Sequence, residues 1–411
     1  MTGRNSTVGG SGKPARSWLL VAGAIAAILL TTLLPVSSGT PQTLGTCIIC
    51  GERGLADALL NVALFVPLGI GCGMIGWSVR RSIVTAVLLS CLVEIAQVAI
   101  PGRDPSAGDL LFNTVGASAG LAIAALGPRL RHIPDRYAGW ISLLGASMAC
   151  VVFVLTGFLL APSLPHTTYF GQWAPDLGHL EWYKARVLEA TIAGVAAPYD
   201  RLDHSEMVRR DLLAGAPIAV SAIAAPRTRA LGSLFSIYDE REREIILVGA
   251  DREDLVYRYR TRGTAFRLDQ PDIRLHNALR GVAPGDSLFV EVVGSARGYC
   301  MSANDIGTCN LGYTIGSGWG ILFYLESIPW WLRAVFNMGW IAALAFPIGF
   351  WARRRWESGM AVLVLVVGTV LIPGATGLVA APGPTLLGVT AGLGTGLAFQ
   401  TSFRHRRPSG A

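Results

Sequence analysis

The sequence predicts a polytopic α-helical membrane protein interrupted by an all-β sandwich. Three observations lead there. Apolar stretches of about 20 residues, the length needed to cross a bilayer core, recur eight times along the 411-residue chain. Composition fits lipid exposure, with 52% hydrophobic residues, 15% charged residues and a mean hydropathy of +0.47. The charges are also unevenly spread: most lie between Pro162 and Ser327, where short strand-like runs replace the long apolar ones.

The eight spans cover residues 18–36, 55–77, 83–100, 110–126, 138–160, 329–350, 360–379 and 385–402. The first follows Lys13 and Arg16, as a signal peptide would. Its apolar stretch is longer than a usual signal core, however, and Val36-Ser37-Ser38-Gly39 makes a poor cleavage site, so it reads as an uncleaved helix. The chain therefore divides into five helices over residues 1–161, a β domain over 162–327 and three helices over 328–411.

Orientation follows from the short loops. One set holds Lys13 and Arg16, Arg80 and Arg81, Arg129, Arg131 and Arg136, Arg353 to Arg355, and Arg404, Arg406 and Arg407. The opposite set holds only Arg53 and Arg103. Basic loops stay on the cytoplasmic side, so both termini are expected in the cytoplasm and residues 162–327 outside. The net charge of +7 then reflects membrane anchoring and calls for no nucleic-acid partner. Trp330 and Trp331 fall at the expected outer interface, Trp351 and Trp356 at the inner one.

Cysteine placement agrees with this topology. Cys72, Cys91 and Cys150 fall in spans, where a thiol acts as a small apolar group. Cys300 and Cys309 lie in the outer domain and Cys47 and Cys50 in the first outer loop, where an oxidising compartment allows a disulfide in each pair. Cys47-Ile48-Ile49-Cys50 also has the spacing of a redox or metal pair, but no partner cysteines or histidines lie nearby. No metal site and no cofactor is expected. His166, His179, His204 and His276 show no ligand spacing, and no nucleophile–base triad, phosphate loop or dinucleotide fingerprint is present.

The most informative residues are polar and lie inside spans. Asp57-Ala58-Leu59-Leu60-Asn61 and Asp109-Leu110-Leu111-Phe112-Asn113 repeat a D-x-L-x-N pattern, each at the mouth of an apolar helix. The intervening span carries Glu94 and Gln97, and the loop after it carries Arg103. Steps of three and four residues put each pair on one helix face, so three helices can aim polar faces at one shared outer-leaflet pocket. Ionisable groups in a span point by default to function. Asp57 and Asp109 also suit plain N-terminal capping, and Asn and Gln can simply join helices. Glu94 needs a cation or a proton, which Arg103 could supply in a structural pair as well as in a site. Gly116-x-x-x-Gly120 predicts close helix packing beneath the cluster, and Pro67 a kink or shaped wall.

These residues resemble the VanZ family of bacterial membrane proteins. The similarity covers about residues 47–127 and includes Cys47-x-x-Cys50-Gly51, Asp57…Asn61-x-x-x-Phe65-x-Pro67-x-Gly69 and Arg80/Arg81. It continues through Ser90…Glu94-x-x-Gln97, Pro101-Gly102-Arg103 and Asp109…Asn113-x-x-Gly116. The resemblance implies an integral membrane protein of the bacterial cell envelope, in a family whose founding member is associated with low-level teicoplanin resistance. It implies no particular reaction.

In the outer domain, strands are expected at residues 233–238, 245–248, 255–259, 265–268, 287–293 and 320–324. Leu234-Phe235-Ser236-Ile237-Tyr238-Asp239, Ile246-Leu247-Val248-Gly249 and Leu255-Val256-Tyr257-Arg258 resemble the concanavalin A-like, or laminin-G-like, family. That resemblance implies a jelly-roll sandwich, often used to bind glycan or protein. Tyr257-Arg258-Tyr259-Arg260 alternates across the sheet. It suits either an Arg/Tyr face for acidic sugars or a solvated arginine face over a tyrosine-lined core. Asp251, Glu253 and Asp254 are too generic to mark a calcium loop.

Two functions stand out. One is a non-enzymatic envelope protein. Its sandwich would bind glycan, a cell-wall precursor or a protein, and its pocket (Asp57, Asn61, Glu94, Gln97, Arg103, Asp109, Asn113) a membrane lipid or amphiphile. The other is a membrane enzyme acting on a lipid-linked precursor, with Glu94 or Asp109 as acid/base and Arg103 holding phosphate or carboxylate. A transporter, hinted at by the repeated helix mouths, lacks wider internal symmetry.

Overall fold

The computed structural model describes residues 12–33, 48–49, 51–100, 106–131, 133–178, 180–324, 328–353 and 355–405. The chain forms two compact units, Met1–Ile133 and Pro134–Ala411. Helices occupy all eight positions expected of spans. Six are long and apolar enough to cross a membrane. The other two are more polar, one through Arg80, Arg81 and Glu94 and the other through its glycine and threonine content.

The first unit contains α1 (Gly12–Leu33), α2 (Gly54–Ile75), α3 (Val79–Gln97) and α4 (Ala107–Arg131). Apolar burial does little to join helices in lipid, so close packing of small residues matters more. Gly116 and Gly120 of α4 lie directly against the Val62 and Val66 carbonyl oxygens of α2, and Gly69 of α2 lies against the Ala117 carbonyl in return. A side chain at any of these positions would force the backbones apart. Phe65, Leu68, Cys72, Ala86, Val93 and Ala117 fill the interior, while Leu88, Leu92, Ile95, Leu111 and Val115 stay exposed as a lipid-facing surface. The α2 helix continues through Pro67 and stops at Gly76, whose left-handed backbone (φ 89°) returns its N–H to the Cys72 and Gly73 carbonyls. Ser78 then caps α3 by accepting the Arg81 N–H at 3.3 Å. Arg81 lies 4.1 Å over the Trp77 ring at this same end.

The second unit opens with α5 (Asp135–Leu160). The fifth helix thus packs with the C-terminal helices, although it follows the first four in sequence. Its partners are α8 (Trp330–Trp351) and α9 (Arg355–Thr376), with α10 (Gly383–His405) packed along α8. Gly388, Gly392 and Gly396 bring α10 against the Met338, Ala342 and Phe346 carbonyls, and Gly349 of α8 meets Leu393. A G-x-x-x-G-x-x-x-G ridge therefore does for this pair what Gly116 and Gly120 do for α2 and α4.

Between α5 and α8 lie two six-stranded antiparallel sheets. The first runs β4 (Asp200–Leu202), β1 (Tyr169–Trp173), β6 (Leu231–Asp239), β7 (Glu244–Asp251), β8 (Asp254–Tyr259) and β9 (Ile273–Leu275). The second runs β12 (Ile306–Leu311), β11 (Gly298–Ala303), β10 (Ser287–Ser295), β5 (Ile218–Ile223), β2 (Arg186–Ile192) and β3 (Val195–Ala196). Two short helices, α6 (Ser205–Leu213) and α7 (Arg262–Ala265), join strands. The core is continuous between the sheets, with Phe235, Ile237, Val248, Val220 and Val290 fully buried.

The sandwich differs from expectation in detail. Residues 265–268 and 320–324 are not strands. The first region follows the single turn of α7, closed by Thr264 Oγ1 donating to the Thr261 carbonyl at 2.7 Å, and Arg267 then adopts a left-handed backbone (φ 58°). The second follows a 3-10 turn, Ile315–Ile321, whose glycines at 316, 318 and 320 are buried against other elements. The Arg/Tyr alternation of β8 is real, but its arginine face is not solvated at Arg258. That side chain is 9% exposed and holds Glu244 through two bonds, at 2.8 and 2.9 Å. Tyr257 and Tyr259 point the other way into the core, where they cluster with Tyr299 and Tyr313 at centroid distances of 5.0–5.8 Å. Burial raises the pKa of all four phenols above their usual value. Cys300 and Cys309 form a disulfide across β11 and β12. It adds a covalent link to the backbone pairing of an edge strand whose side chains are almost all exposed.

Candidate functional site: a polar cluster at the helix mouths

Four polar contacts join the helices of the first unit where α2 and α4 begin and α3 ends. Ser106, just before α4, starts the network. Its hydroxyl accepts the Asp109 N–H at 3.2 Å, the usual N-cap bond, and its own N–H donates to Glu94 Oε2 at 2.9 Å. Glu94 therefore reaches across from α3 to satisfy an orphan donor at the N-terminus of α4, where negative charge is favoured. Asp109 is not itself the cap. Its carboxylate accepts Asn61 Nδ2 at 2.6 Å, so the Asn of the first D-x-L-x-N motif meets the Asp of the second. One turn deeper, Asn113 Nδ2 donates to Ser90 Oγ at 2.9 Å. Gln97 Nε2 donates to the Thr32 carbonyl of α1 at 3.0 Å.

The expected convergence of α2, α3 and α4 is present. Glu94, Gln97 and Asn113 are buried, and Asn61 and Asp109 are half-buried. Asp57 differs: it is exposed in the first turn of α2. Arg103 lies outside the described residues, as do Cys47 and Cys50 with their expected disulfide. Ile48 and Ile49, from the same Cys-x-x-Cys loop, press on Gly108 and Gly54 at the starts of α4 and α2. Ile48 and Ile49 thus sit beside the cluster.

Much of the network is internally satisfied, as helix-joining groups should be. One atom is not: Asn113 Oδ1 is buried without a hydrogen-bond partner among the described residues. Ser106 and Thr32 were not anticipated as members of the cluster. Ser106-x-x-Asp109 has helix-start spacing that could have revealed the first. Thr32 takes part only through its backbone carbonyl, which no side-chain pattern reports.

The second unit has a separate buried ionic network. Arg274 bonds Asp251 at 2.5 Å and Asp272 at 2.9 Å, and Asp254 takes His276 Nδ1 at 2.8 Å. Burial alone would raise the Asp254 pKa. His276, the Asn277 N–H and Arg274 outweigh it and hold the carboxyl below its usual range. Among the described residues, no group of three or more His, Cys, Asp or Glu side chains is arranged to hold a metal.

The family model described as VanZ/LLP1 matches residues 18–127. The first unit carries a VanZ-like domain. The match begins earlier than the sequence resemblance and takes in most of α1, whose Thr32 closes the polar cluster onto Gln97. Every residue of the helix-mouth network falls within it. The sandwich and the last three helices lie outside the VanZ-like domain. No curated protein and no solved structure matches the chain.

Proposed function

We propose that this VanZ-like protein is a non-enzymatic component of the bacterial plasma membrane and that its helix-mouth cluster binds the polar end of a lipid or amphiphilic envelope ligand. The observation that carries this reading is the pair of bonds that hold the Glu94 carboxylate of α3 on the Ser106 N–H and the Asp109 carboxylate of α4 on Asn61 of α2, which sets two carboxylates at one mouth between three helices. Carboxylates there suit an amphiphile that presents an amine, and Asn113 Oδ1 offers a further acceptor. The similarity to the VanZ family supports a part in teicoplanin-type glycopeptide resistance as a further proposal. The distribution of arginines supports an orientation with both termini in the cytoplasm and residues 162–327 outside.

The paired carboxylates also favour a second reading, in which they serve as acid/base on a lipid-linked cell-wall precursor with Arg103 holding its phosphate. One complementation experiment separates the two. A deletion strain carries wild type, Glu94→Ala, or the Glu94→Gln/Asp109→Asn pair, and glycopeptide sensitivity and lipid-linked precursors are measured. The binding reading expects Glu94→Ala to fail and the amide pair to keep partial function, because each amide oxygen can still accept its bond. The enzymatic reading expects both to fail, since amides transfer no proton. Glu94→Ala equal to wild type would reduce the cluster to scaffold.

We propose further that the sandwich binds a glycan or cell-wall precursor. An open depression of about 690 Å³, whose lining includes Thr167, Thr168, Arg201, Asp203, His204 and Arg210, offers the mixed donors and acceptors that sugars take. Arg201→Ala/Arg210→Ala in the full-length protein is expected to lower binding to soluble cell-wall fragments at least about tenfold, as for two lost charged hydrogen bonds. Unchanged affinity would place the ligand elsewhere.

A further inference from the structure

The sandwich is fastened into the helices of its own unit, and the fastening sets its depth. Trp319, in the 3-10 turn, donates Nε1–H to Asn337 Oδ1 at 2.7 Å. Asn337 lies seven residues into α8, or roughly 10 Å below its first residue at helical rise. Gly318 of the same turn packs on Thr156 of α5 and Trp340 of α8. Irregular backbone is tolerated at membrane depth only where protein or a wet cavity encloses it, and Gly316, Gly318 and Gly320 are all buried. The base of the sandwich therefore reaches below the ends of the helices that carry it.

The α7 turn lies at this base. Arg262 N–H donates to the Ala161 carbonyl at 2.9 Å, and Tyr259 hydroxyl donates to the Leu160 carbonyl at 3.2 Å. These bonds hold α7 beside the last turn of α5. The Arg262 guanidinium lies 4.8 Å from the ring of Phe158, an exposed residue of that last turn. Just after α7 comes Phe266, 52% exposed. Phe323, Trp330 and Trp331 are exposed where the chain passes from sandwich to α8. Single exposed aromatics are ordinary on a soluble surface. Here several gather where apolar helices end, with an arginine among them, as in the aromatic belts of membrane proteins.

We infer that the α7 turn and Phe266 form an interfacial anchor that seats the sandwich base in the lipid headgroup layer. Phe266 enters the boundary between headgroups and acyl chains. The Arg262 guanidinium, stacked on Phe158, faces lipid phosphate, whose geometry it matches with paired N–H donors. The partner is the phospholipid surface around the protein's own helices. This inference does not depend on any ligand of the helix-mouth cluster.

The far end of the sandwich supplies an internal control. Val379, between α9 and α10, donates its N–H to the Tyr313 carbonyl at 2.8 Å and touches Gly298, which places the start of β11 at the base. The β11–β12 turn lies five residues further on, roughly 16 Å away at strand rise, and carries the exposed Ile306. The test uses full-length protein in phosphatidylglycerol/phosphatidylcholine nanodiscs, with a fluorescent amino acid encoded at position 266 or at position 306. Lipids bearing a nitroxide on the upper acyl chain act as quencher, and thermal unfolding of each labelled protein verifies its fold. Quenching at 266 is expected to be several-fold stronger than at 306, and Arg262→Glu is expected to weaken it at 266 alone. Equal quenching at both positions would overturn the inference. So would a label at 266 that is shielded from lipid by a second copy of the chain.

Discussion

Arg274→Ala is expected to destabilise the sandwich by about 3–5 kcal/mol, the range seen when one partner of a buried ion pair is removed. The Arg274 side chain is 5% exposed, and its two main partners, Asp251 and Asp272, are 2% and 0% exposed. Those carboxylates hold its pKa above the usual arginine value despite burial. Without the guanidinium both carboxylates would lose a charged partner in the interior, Asp251 at Oδ2 and Asp272 at both oxygens. Asp272 also takes the Tyr324 hydroxyl and lies 3.4 Å from Arg333 Nη1 in the first turn of α8. The damage should therefore spread from the sheet edge to the start of that helix. Thermal unfolding of the full-length protein in detergent measures the effect. Replacing Arg274 and Asp251 together by apolar residues of similar size, with Asp272 kept on Tyr324 and Arg333, should recover much of the loss, because the penalty comes from the stranded charges. A shift below about 1 kcal/mol for Arg274→Ala would mean that water screens the network as it screens surface pairs.

Gly120→Leu should damage the VanZ-like domain through its backbone contacts. A Cβ there overlaps the Val66 carbonyl oxygen and comes within 2.8 Å of Ile70 N and 2.9 Å of Gly69 Cα. All three are backbone atoms, so no rotamer change relieves the clash and the helices must separate. The cost is expected near the top of the range of about 1–3 kcal/mol for overpacking. Separation would also draw Asn61 away from Asp109, which are joined across the same two helices. Gly127→Leu is the matched control in α4, because nothing lies within 4 Å of its added Cβ. The fraction of monodisperse protein left after heating should fall sharply for Gly120→Leu and hardly at all for Gly127→Leu. Similar losses in both would show that helix propensity or lipid exposure, and not the α2–α4 contact, governs the position.

Parts of this architecture were open to reading from the residues alone because they obey a strong period. Long apolar runs mark the helices, and β6, β7 and β8 announce themselves through Ile, Leu, Val, Phe and Tyr. The strand β5, Ile218-Ala219-Val220-Ser221-Ala222-Ile223, alternates in burial but is built partly from Ala and Ser, so its strand signal is faint. Residues 265–268 and 320–324 misled for the opposite reason. Leu268, Ile321 and Tyr324 are buried there by neighbouring elements while the local backbone turns, and Phe266 and Phe323 stay exposed.

The helix-mouth cluster divides along the same line. Spacing alone put Asp109 and Asn113 on one helix face, put Glu94 and Gln97 on another, and brought Gly116 and Gly120 to a contact surface. These are consequences of helical pitch, which depends only on positions along the chain. Spacing could not say that Asn61 would meet Asp109 and not Asp57, that Glu94 would cap another helix through Ser106, or that Arg258 would lie buried on Glu244. Each outcome depends on which helix or strand lies alongside and at what height. That choice is made by packing, where glycine contacts, carbonyls and buried charges must all be satisfied together.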